Sequence, residues 1–496
     1  MSIEELYGLW KASKGVNTDS RTIEPGQIFV ALKGENFDGN AYALKALEAG
    51  AAYAIVEISP RATLGRDDNT VISSEAEGVV ETRACERWLQ PKSRLIQVQD
   101  TLQTLKELAA YHRQQLQIPV IGLTGTNGKT TTKELIREVL GVNFRVAATK
   151  GNLNNDIGVP LTVLSIGEDA DIAVVEMGAN HPEDITALTW VSQPSYGLIT
   201  NVGKAHLEGF GSFEGVKHAK GRLYDWLSEH DGTAFVNTCS EDLVGMASAR
   251  HLSIVPYGVD GVTVRVLPAS ASEPYLRMVV DGRLLETHLV GAYNATNVMA
   301  ALTVGQYFGV SLPDALAAVA AYEPSMNRSQ LVRSGSNTII EDAYNANPSS
   351  MAVALDNLAA MSGPRAALLG EMRELGADSV AEHAAVVRRL MGMGLERVCL
   401  VGPEFRKAAS SLGLCADAEA PSVISSEAEG AVEKSVNAPA SEISPRATLG
   451  RDDTLLLLFD SSDALAAWLA EHPLTGCTVL VKGSRGTRME KVLPAL

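Results

Sequence analysis

An α/β fold of several domains is predicted by three observations. Short apolar runs alternate with helix-like stretches along most of the chain, the runs end in small or polar residues, and 43 glycines provide for tight turns between them. At 496 residues the chain is too long for one ordinary core. Domains of roughly 100 to 200 residues give three or four units.

Composition narrows the class. With 46% hydrophobic and 20% charged residues the chain reads as a soluble globular protein. Its 42 basic against 59 acidic side chains, a net charge of −17, would repel a nucleic-acid backbone, while a local cradle can still hold an anionic small ligand. Cys85, Cys239, Cys399, Cys415 and Cys477 form no CxxC pair, so neither a zinc site nor a disulfide framework is expected. The opening MSIEELYGLW has no basic segment leading into an apolar run, and no run of about eighteen apolar residues occurs anywhere. These features predict a cytoplasmic chain without membrane insertion.

Taken in order, the apolar runs Gln27–Leu32 and Ala52–Glu57 flank the helical AYALKALEAG, whose Gly50 suits a helix C-cap. A second unit follows the helix-like stretch Leu102–Gln115, where IPVIGLTG leads through a glycine-rich turn into TTTKELIREVL. DIAVVEMG and YGLITNVG continue the pattern of buried parallel strands with ligand-binding loops at their carboxyl ends. Beyond Tyr322 and EPSMNRSQ, the runs TIIEDAYN, AALLGEM, RVCLVG and TVLVKG alternate with Ala-rich helical segments, which predicts a separate C-terminal α/β domain. EISPRATLGRDD occurs at Glu57–Asp68 and Glu442–Asp453, and VISSEAEG at Val71–Gly78 and Val423–Gly430, in opposite order. Architectural repeats keep their order and diverge, so these blocks read as an element inserted into two loops.

The densest chemical signal is Gly125-Thr126-Asn127-Gly128-Lys129-Thr130, followed by Thr131. Small residues between strand and helix let backbone N–H groups face a phosphate, Lys129 adds a point charge, and the Thr130 hydroxyl stands where a phosphate-bound Mg²⁺ would sit. The strict P-loop spacing needs glycine where Leu123 stands, so this is a variant. Glu176, ending the strand in DIAVVEMG, offers a hard oxygen to a cation. His206 in NVGKAHLEGF reads on its own as a loop or core histidine, and Lys220 in VKHAKGRLYDWL as a solvated helix residue.

Together TGTNGKTTT, GNLNNDIGVPLT, VVEMGAN, NVGKAHLEGF, HAKGRLY, EDAYNANPSSM, LGEMRELG and VKGSRGTRMEKV resemble the ordered motif set of the Mur ligases over nearly the whole chain. Within that family, DAYNANP and KGSRGTRMEKV resemble the D-alanyl-D-alanine-adding branch, and the DNPR motif of the diaminopimelate-adding branch is missing. The resemblance implies three α/β domains: a UDP-sugar-binding domain over 1–99, a central P-loop ATPase domain with a parallel sheet over 100–322, and a Rossmann-like domain over 323–496. It also implies ATP and Mg²⁺ as cofactors, UDP-N-acetylmuramoyl-tripeptide and D-alanyl-D-alanine as partners, and a monomer.

Residue by residue, the same likeness places Asp19, Ser20 and Arg21 at the nucleotide-sugar, and Asn152, Asn154 and Asn155 in a substrate-side loop. It makes Thr130, Glu176, His206 and a carbamylated Lys220 the Mg²⁺ ligands. Carbamylation turns an ammonium into an oxygen pair suited to a hard cation. Arg222 is a departure, because the family often has AKGE where this chain has AKGR. Asn297 in YNATN resembles an adenine-contacting asparagine, and Arg328 an arginine that reaches the γ-phosphate. Asp342 is assigned to the nucleotide, and Tyr344, Asn345 and Asn347 to the incoming substrate, with Pro348 stiffening the loop exit. Glu371 replaces a common Asp, a change expected to matter little, and Lys482 and Arg485 are expected to meet substrate carboxylates.

The implied chemistry is transfer of the γ-phosphoryl group to the tripeptide carboxylate, then attack by the dipeptide amine on the acyl phosphate. Lys129, Arg328 and two Mg²⁺ ions would offset the charge on the transferred group, with Lys129, His206, Lys220 and Arg328 as the catalytic set. Three rivals are a different ligase on this scaffold, such as a folylpolyglutamate synthase, a P-loop switch that releases phosphate without an amine acceptor, and a degenerate ligase-like binding protein, against which intact Lys129, Glu176 and Lys220 argue.

Overall fold

The computed structural model describes residues 1–34, 37–57, 94–270, 273–324, 330–414 and 455–496. Arg328 and the duplicated blocks, Glu57 apart, lie outside the described residues. The chain divides into two compact units, one of Met1–Leu123, Phe144–Gly178 and Asp184–Gly197, the other of Thr124–Asn143, Ala179–Glu183 and Leu198–Leu496.

The first unit opens with strands β1 (Val16–Asn17) and β2 (Ile28–Val30), the short antiparallel pair β3 (Lys33–Gly34) and β4 (Phe37–Asp38), then β5 (Tyr53–Glu57) and β6 (Leu95–Val98). Strands β1-β2-β5-β6 form a parallel sheet in that order. Its core is Phe29, Ala31, Ala46, Ala54 and Val56. The helix Ala43–Glu48 is capped by Ala49, and Gly50 follows at φ 109°, one position beyond the expected cap, in a conformation that glycine takes without strain.

The helix Thr101–Gln115 starts where Asp100 accepts a hydrogen bond from the Gln103 N–H at 2.8 Å. Its buried Arg113 donates to the carbonyls of Ser192, Leu116 and Gln193, which satisfies a guanidinium that burial would otherwise penalise. Next come β7 (Val120–Thr124), β8 (Val146–Ala148) and β9 (Ile172–Glu176), parallel in the order β7-β9-β8. Every residue of β7 and β9 is buried, which explains why both read as unbroken apolar runs.

The second unit takes the chain from Thr124 through the glycine-rich loop into the helix Lys129–Leu140. The helix Asn294–Tyr307 lies against it so closely that a Cβ on Gly305 would fall 2.3 Å from Val139 Cγ1. Strand β10 (Tyr196–Ile199) and the helix Phe213–Glu229 precede the parallel pair β11 (Thr233–Asn237) and β12 (Ser253–Tyr257). An antiparallel meander follows, β13 (Val264–Val266), β14 (Tyr275–Val280) and β15 (Arg283–Val290), which the sequence reading did not anticipate.

The remainder is a six-stranded sheet of β16 (Gln330–Ser334), β17 (Asn337–Asp342), β18 (Arg365–Gly370), β19 (Arg397–Val401), β20 (Leu455–Phe459) and β21 (Thr478–Lys482), in the order β16-β17-β21-β18-β19-β20. Only β16 runs antiparallel, joined to β17 by a tight turn in which Gly335 adopts φ 56°. Four of the other five strands, β17, β18, β19 and β21, match the apolar runs expected after residue 323, β20 is an addition to them, and Leu368, Cys399, Val479 and Trp468 share one core. Inserting β21 between β17 and β18 creates a switch point, and the loops leaving the carboxyl ends of those three strands surround it. Among the described residues no helix is long and apolar enough to cross a membrane.

Candidate active site

Two glycines shape the loop between β7 and the helix Lys129–Leu140. At Gly125 (φ 149°) a Cβ would sit 1.9 Å from Thr200 Oγ1, and at Gly128 (φ 77°) it would sit 2.8 Å from Asn297 Oδ1. Neither position has room for a side chain, so the loop leaves a cradle of bare backbone at a helix N-terminus. Lys129 Nζ donates to the carbonyl oxygens of Gly125 and Thr126, at 2.8 and 3.3 Å, which folds its charge over the loop. Thr130 is buried in the first helical turn. Asn127 anchors the loop: its N–H donates to Asn201 Oδ1 (2.9 Å), and its carbonyl accepts from Thr200 Oγ1 (2.7 Å) and Asn201 Nδ2 (2.9 Å).

Of the other residues expected to serve the nucleotide, Asn297 meets this loop and Asp342 pairs with Lys482. Asn297 lies against Gly128 of the phosphate loop, and its Nδ2 donates to Asn294 Oδ1 at 2.8 Å. Near this loop, Lys220 on the helix Phe213–Glu229 is 2% exposed, with its Nζ 5.7 Å from the Phe210 ring centroid. Lys129 and Lys220 both act on His206: burial pushes its imidazole below the ordinary value, the two lysines reinforce that, and Glu374 opposes it. Arg222 turns its guanidinium to Asp225 (3.5 Å) and Glu183 (3.8 Å), so the cation that departs from the family pattern is matched by carboxylates.

Among the described residues no three His, Cys, Asp or Glu side chains cluster to hold a metal. Of the donors expected for a cation, the Thr130 hydroxyl, the His206 imidazole and a modified Lys220 belong to the second unit and the Glu176 carboxylate to the first. The chemistry fits a hard ion, because a hydroxyl, a carboxylate and a carbamate are all oxygen donors, and carbamylation would exchange the Lys220 ammonium for an anionic oxygen pair. In the first unit, Glu176 is 1% exposed, its N–H donates to Thr149 Oγ1, and its Oε1 accepts from Asn154 Nδ2 at 2.8 Å. Asn155 Oδ1 accepts from the Gly158 N–H at the start of the helix Gly158–Leu164, and Asn152 is exposed.

At the first sheet, Asp19 and Arg21 form a bidentate pair (2.9 and 2.7 Å) in the loop after β1 that also contains Ser20. The guanidinium and N–H of Arg21 hold the Asp19 carboxyl down at about 2.

The carboxyl ends of β17, β18 and β21 surround a cavity of 210 Å³, which His206 and Ala205 also line. Arg373 and Arg485 bring positive charge to it, Glu374 negative charge, and Asn345, Asn347 and Ser484 polar groups. Arg485 stacks 5.3 Å from the centroid of Tyr344.

Lys482 corrects an expectation. It is 1% exposed, and its Nζ donates to Asp342 Oδ2 (2.5 Å) and to the Asn345 carbonyl (3.0 Å), so it braces the loop after β17 and does not face a substrate carboxylate. Asn347 likewise has structural duties. Its Oδ1 accepts from the Ser350 N–H at the start of the helix Pro348–Ala360, and its Nδ2 donates to Asn127 Oδ1 at 2.9 Å. Glu371 is buried with its carboxylate against Gly402, and the Glu404 N–H donates to it at 3.4 Å. The longer arm thus places a negative charge at the start of the helix Pro403–Ser411.

Sequence reasoning passed over Asn201, Lys204, Arg373 and Glu374. Lys204 donates from Nζ to Glu382 (2.6 Å) and from N–H to Ser349 Oγ (2.9 Å). Glu374 lies within LGEMRELG, a motif from which only Glu371 was drawn, and nothing in the residue pattern pairs it with His206.

Comparison with known proteins covers nearly the whole chain. Three family models match in order: "Mur ligase family, catalytic domain" over residues 13–113, "Mur ligase middle domain" over 123–305, and "Mur ligase, glutamate ligase domain" over 327–485. The UDP-N-acetylmuramoyl-tripeptide–D-alanyl-D-alanine ligase of Escherichia coli is 33% identical over 83% of this chain and 86% of its own. That of Treponema pallidum is 30% identical over 97% and 93%. A crystal structure of MurF from Acinetobacter baumannii superposes with a TM-score of 0.72 at 26% identity, covering 99% and 98%. The MurF ligase of Thermotoga maritima in complex with ADP superposes at 0.73 and 24% identity, covering 98% and 97%, which is a likeness of fold.

Proposed function

The chain belongs to the Mur ligase family, and on that premise we propose that it joins D-alanyl-D-alanine to UDP-N-acetylmuramoyl-tripeptide with conversion of ATP to ADP and phosphate, in peptidoglycan precursor synthesis. The observation that carries the reading is the bare-backbone cradle at Gly125 and Gly128, linked through Asn127 and Asn347 to the cavity beside β17, β18 and β21. Phosphate chemistry and amine delivery need such neighbouring sites.

A tripeptide carboxylate oxygen attacks the γ-phosphorus and ADP departs. The dipeptide amine then attacks the acyl carbon, loses a proton, and expels phosphate as the amide forms. Backbone N–H groups at the start of the helix Lys129–Leu140 and the Lys129 ammonium oppose charge on the transferred phosphoryl group, together with Arg328. Thr131 and Asn297 complete the nucleotide site with Asp342. Thr130, Glu176, His206 and carbamylated Lys220 would hold Mg²⁺, which supplies charge neutralisation between phosphates. Asp19, Ser20 and Arg21 hold the nucleotide-sugar, Asn152, Asn154 and Asn155 the muramoyl-peptide side, and Tyr344, Asn345 and Asn347 the dipeptide side, with Arg485 on the dipeptide carboxylate. Water must be kept from the acyl phosphate, which assigns a closing role to the loops around the cavity.

The domains are taken as 1–99, 100–322 and 323–496, and the protein as a cytoplasmic monomer. The test is product mass: ATP, Mg²⁺, UDP-N-acetylmuramoyl-tripeptide and D-alanyl-D-alanine should yield ADP and a pentapeptide, with each omission abolishing synthesis. Lys129→Ala should lower ligation by about 10³-fold while the circular dichroism spectrum is unchanged. Phosphate release indifferent to the dipeptide would reject the proposal.

A further inference from the structure

We infer that Glu374 is a positioning residue for His206, holding the imidazole in the tautomer whose Nε2 lone pair can take a metal ion. The inference rests on the reading of His206 as a metal ligand. His206 Nδ1 and a Glu374 carboxylate oxygen are hydrogen-bond partners across 168 positions of sequence. A carboxylate only accepts, so Nδ1 carries the hydrogen, and in the neutral imidazole the lone pair falls to Nε2. Phe210 stands edge-on to the ring at 6.4 Å between centroids.

The backbone gives an independent argument. His206 (φ 51°, ψ 38°) and Glu374 (φ 62°) both occupy the left-handed region, where Asn, Asp and His are the commoner side chains and a glutamate is uncommon. A glycine at either place would relieve the strain and forfeit the contact. The two segments also meet through main chain, because the Glu208 N–H donates to the Glu374 carbonyl at 3.3 Å. Glu374 stands in the loop after β18, four positions beyond Gly370, so the partner of Nδ1 comes from the sheet that lines the cavity.

Two readouts on the full-length protein test this. With ¹⁵N-labelled histidine, NMR of the metal-free protein should report the Nδ1–H tautomer for His206, and Glu374→Ala should shift it toward Nε2–H. Mn²⁺ binding in the presence of a non-hydrolysable ATP analogue, followed by electron paramagnetic resonance, should weaken about 10- to 100-fold in Glu374→Ala and less in Glu374→Gln, whose amide oxygen still accepts. In a His206→Ala background, Glu374→Ala should add less than about twofold, since its effect passes through the ring. A wild-type tautomer and Mn²⁺ affinity in Glu374→Ala, or an equal loss in the His206→Ala background, would overturn the inference. If His206→Ala itself leaves Mn²⁺ binding intact, the metal-ligand reading falls and takes the inference with it. If His206→Ala weakens binding and Glu374→Ala does not, only the inference falls.

Discussion

The phosphate loop and the cavity beside β17, β18 and β21 are built from different materials. At the loop, Gly125 and Gly128 have no space for a Cβ, and the functional groups are backbone N–H donors backed by Thr200, Asn201 and Asn297. At the cavity the functional groups are side chains: Arg373, Glu374 and Arg485 line it, while Lys482 and Asp342 brace it from behind. Backbone can bind a phosphate whose shape is always the same. Side-chain charge is the material for selecting among amines and carboxylates that differ between substrates.

The contrast can be broken most sharply at the loop. Gly125→Ala should reduce kcat/KM by about 10³-fold and abolish ADP binding by calorimetry, because the added methyl overlaps Thr200 Oγ1. Retention of ADP binding would show that backbone geometry is not what the loop contributes. Behind the cavity, Lys482→Met should cost about 3 kcal/mol in denaturant unfolding, since it strands Asp342 and the Asn345 carbonyl. A loss below about 1 kcal/mol would move Lys482 from brace to ligand.

On the cavity rim, Arg485→Ala should raise the KM for D-alanyl-D-alanine about tenfold and leave that for ATP unchanged. Equal effects on both substrates would erase the division of labour.

The smallest effect is in pH. Burial holds His383 below its ordinary value, where its Nε2 accepts from the Met372 N–H at 2.9 Å and Nδ1 donates to the Ser379 carbonyl at 2.7 Å. The unfolded chain takes up that proton at a higher pH than the folded one, so the stability contribution is complete above about pH 6.5 and declines as pH falls below it. His383→Gln should flatten that decline in urea titrations between pH 7 and 5. A slope identical to wild type would assign it to His112 and His206, which burial lowers in the same way.

Much of the loop was legible in sequence because its requirements are local. GTNGKT stands between an apolar strand and a helical pattern, and its glycines and lysine act where they are written. Strands β17, β18, β19 and β21 were legible for the same reason: each is largely buried and reads as a continuous apolar run, whereas the half-exposed β16 does not. The cavity was legible only as a list of motifs. That Lys482 is consumed by Asp342, 140 positions away, follows from β21 pairing with β17, a non-local register that no spacing reveals. The meander β13–β15 escaped because its alternation is half-exposed and its strands lie among turns. Asn347 carried a readable signal that went unused: Asn-Pro-Ser-Ser is a helix start, with proline at the first position and a capping box to Ser350.

That last residue has a consequence for how the protein can vary. The carboxamide of Asn347 starts the helix Pro348–Ala360 with its oxygen and grips the phosphate loop with its nitrogen. A replacement that slackens the grip also frays the helix behind it, and one that preserves the helix alone, such as serine, gives up the nitrogen. Looser coupling between nucleotide and acceptor therefore has to be reached by changing Asn127, the partner with no helix to hold.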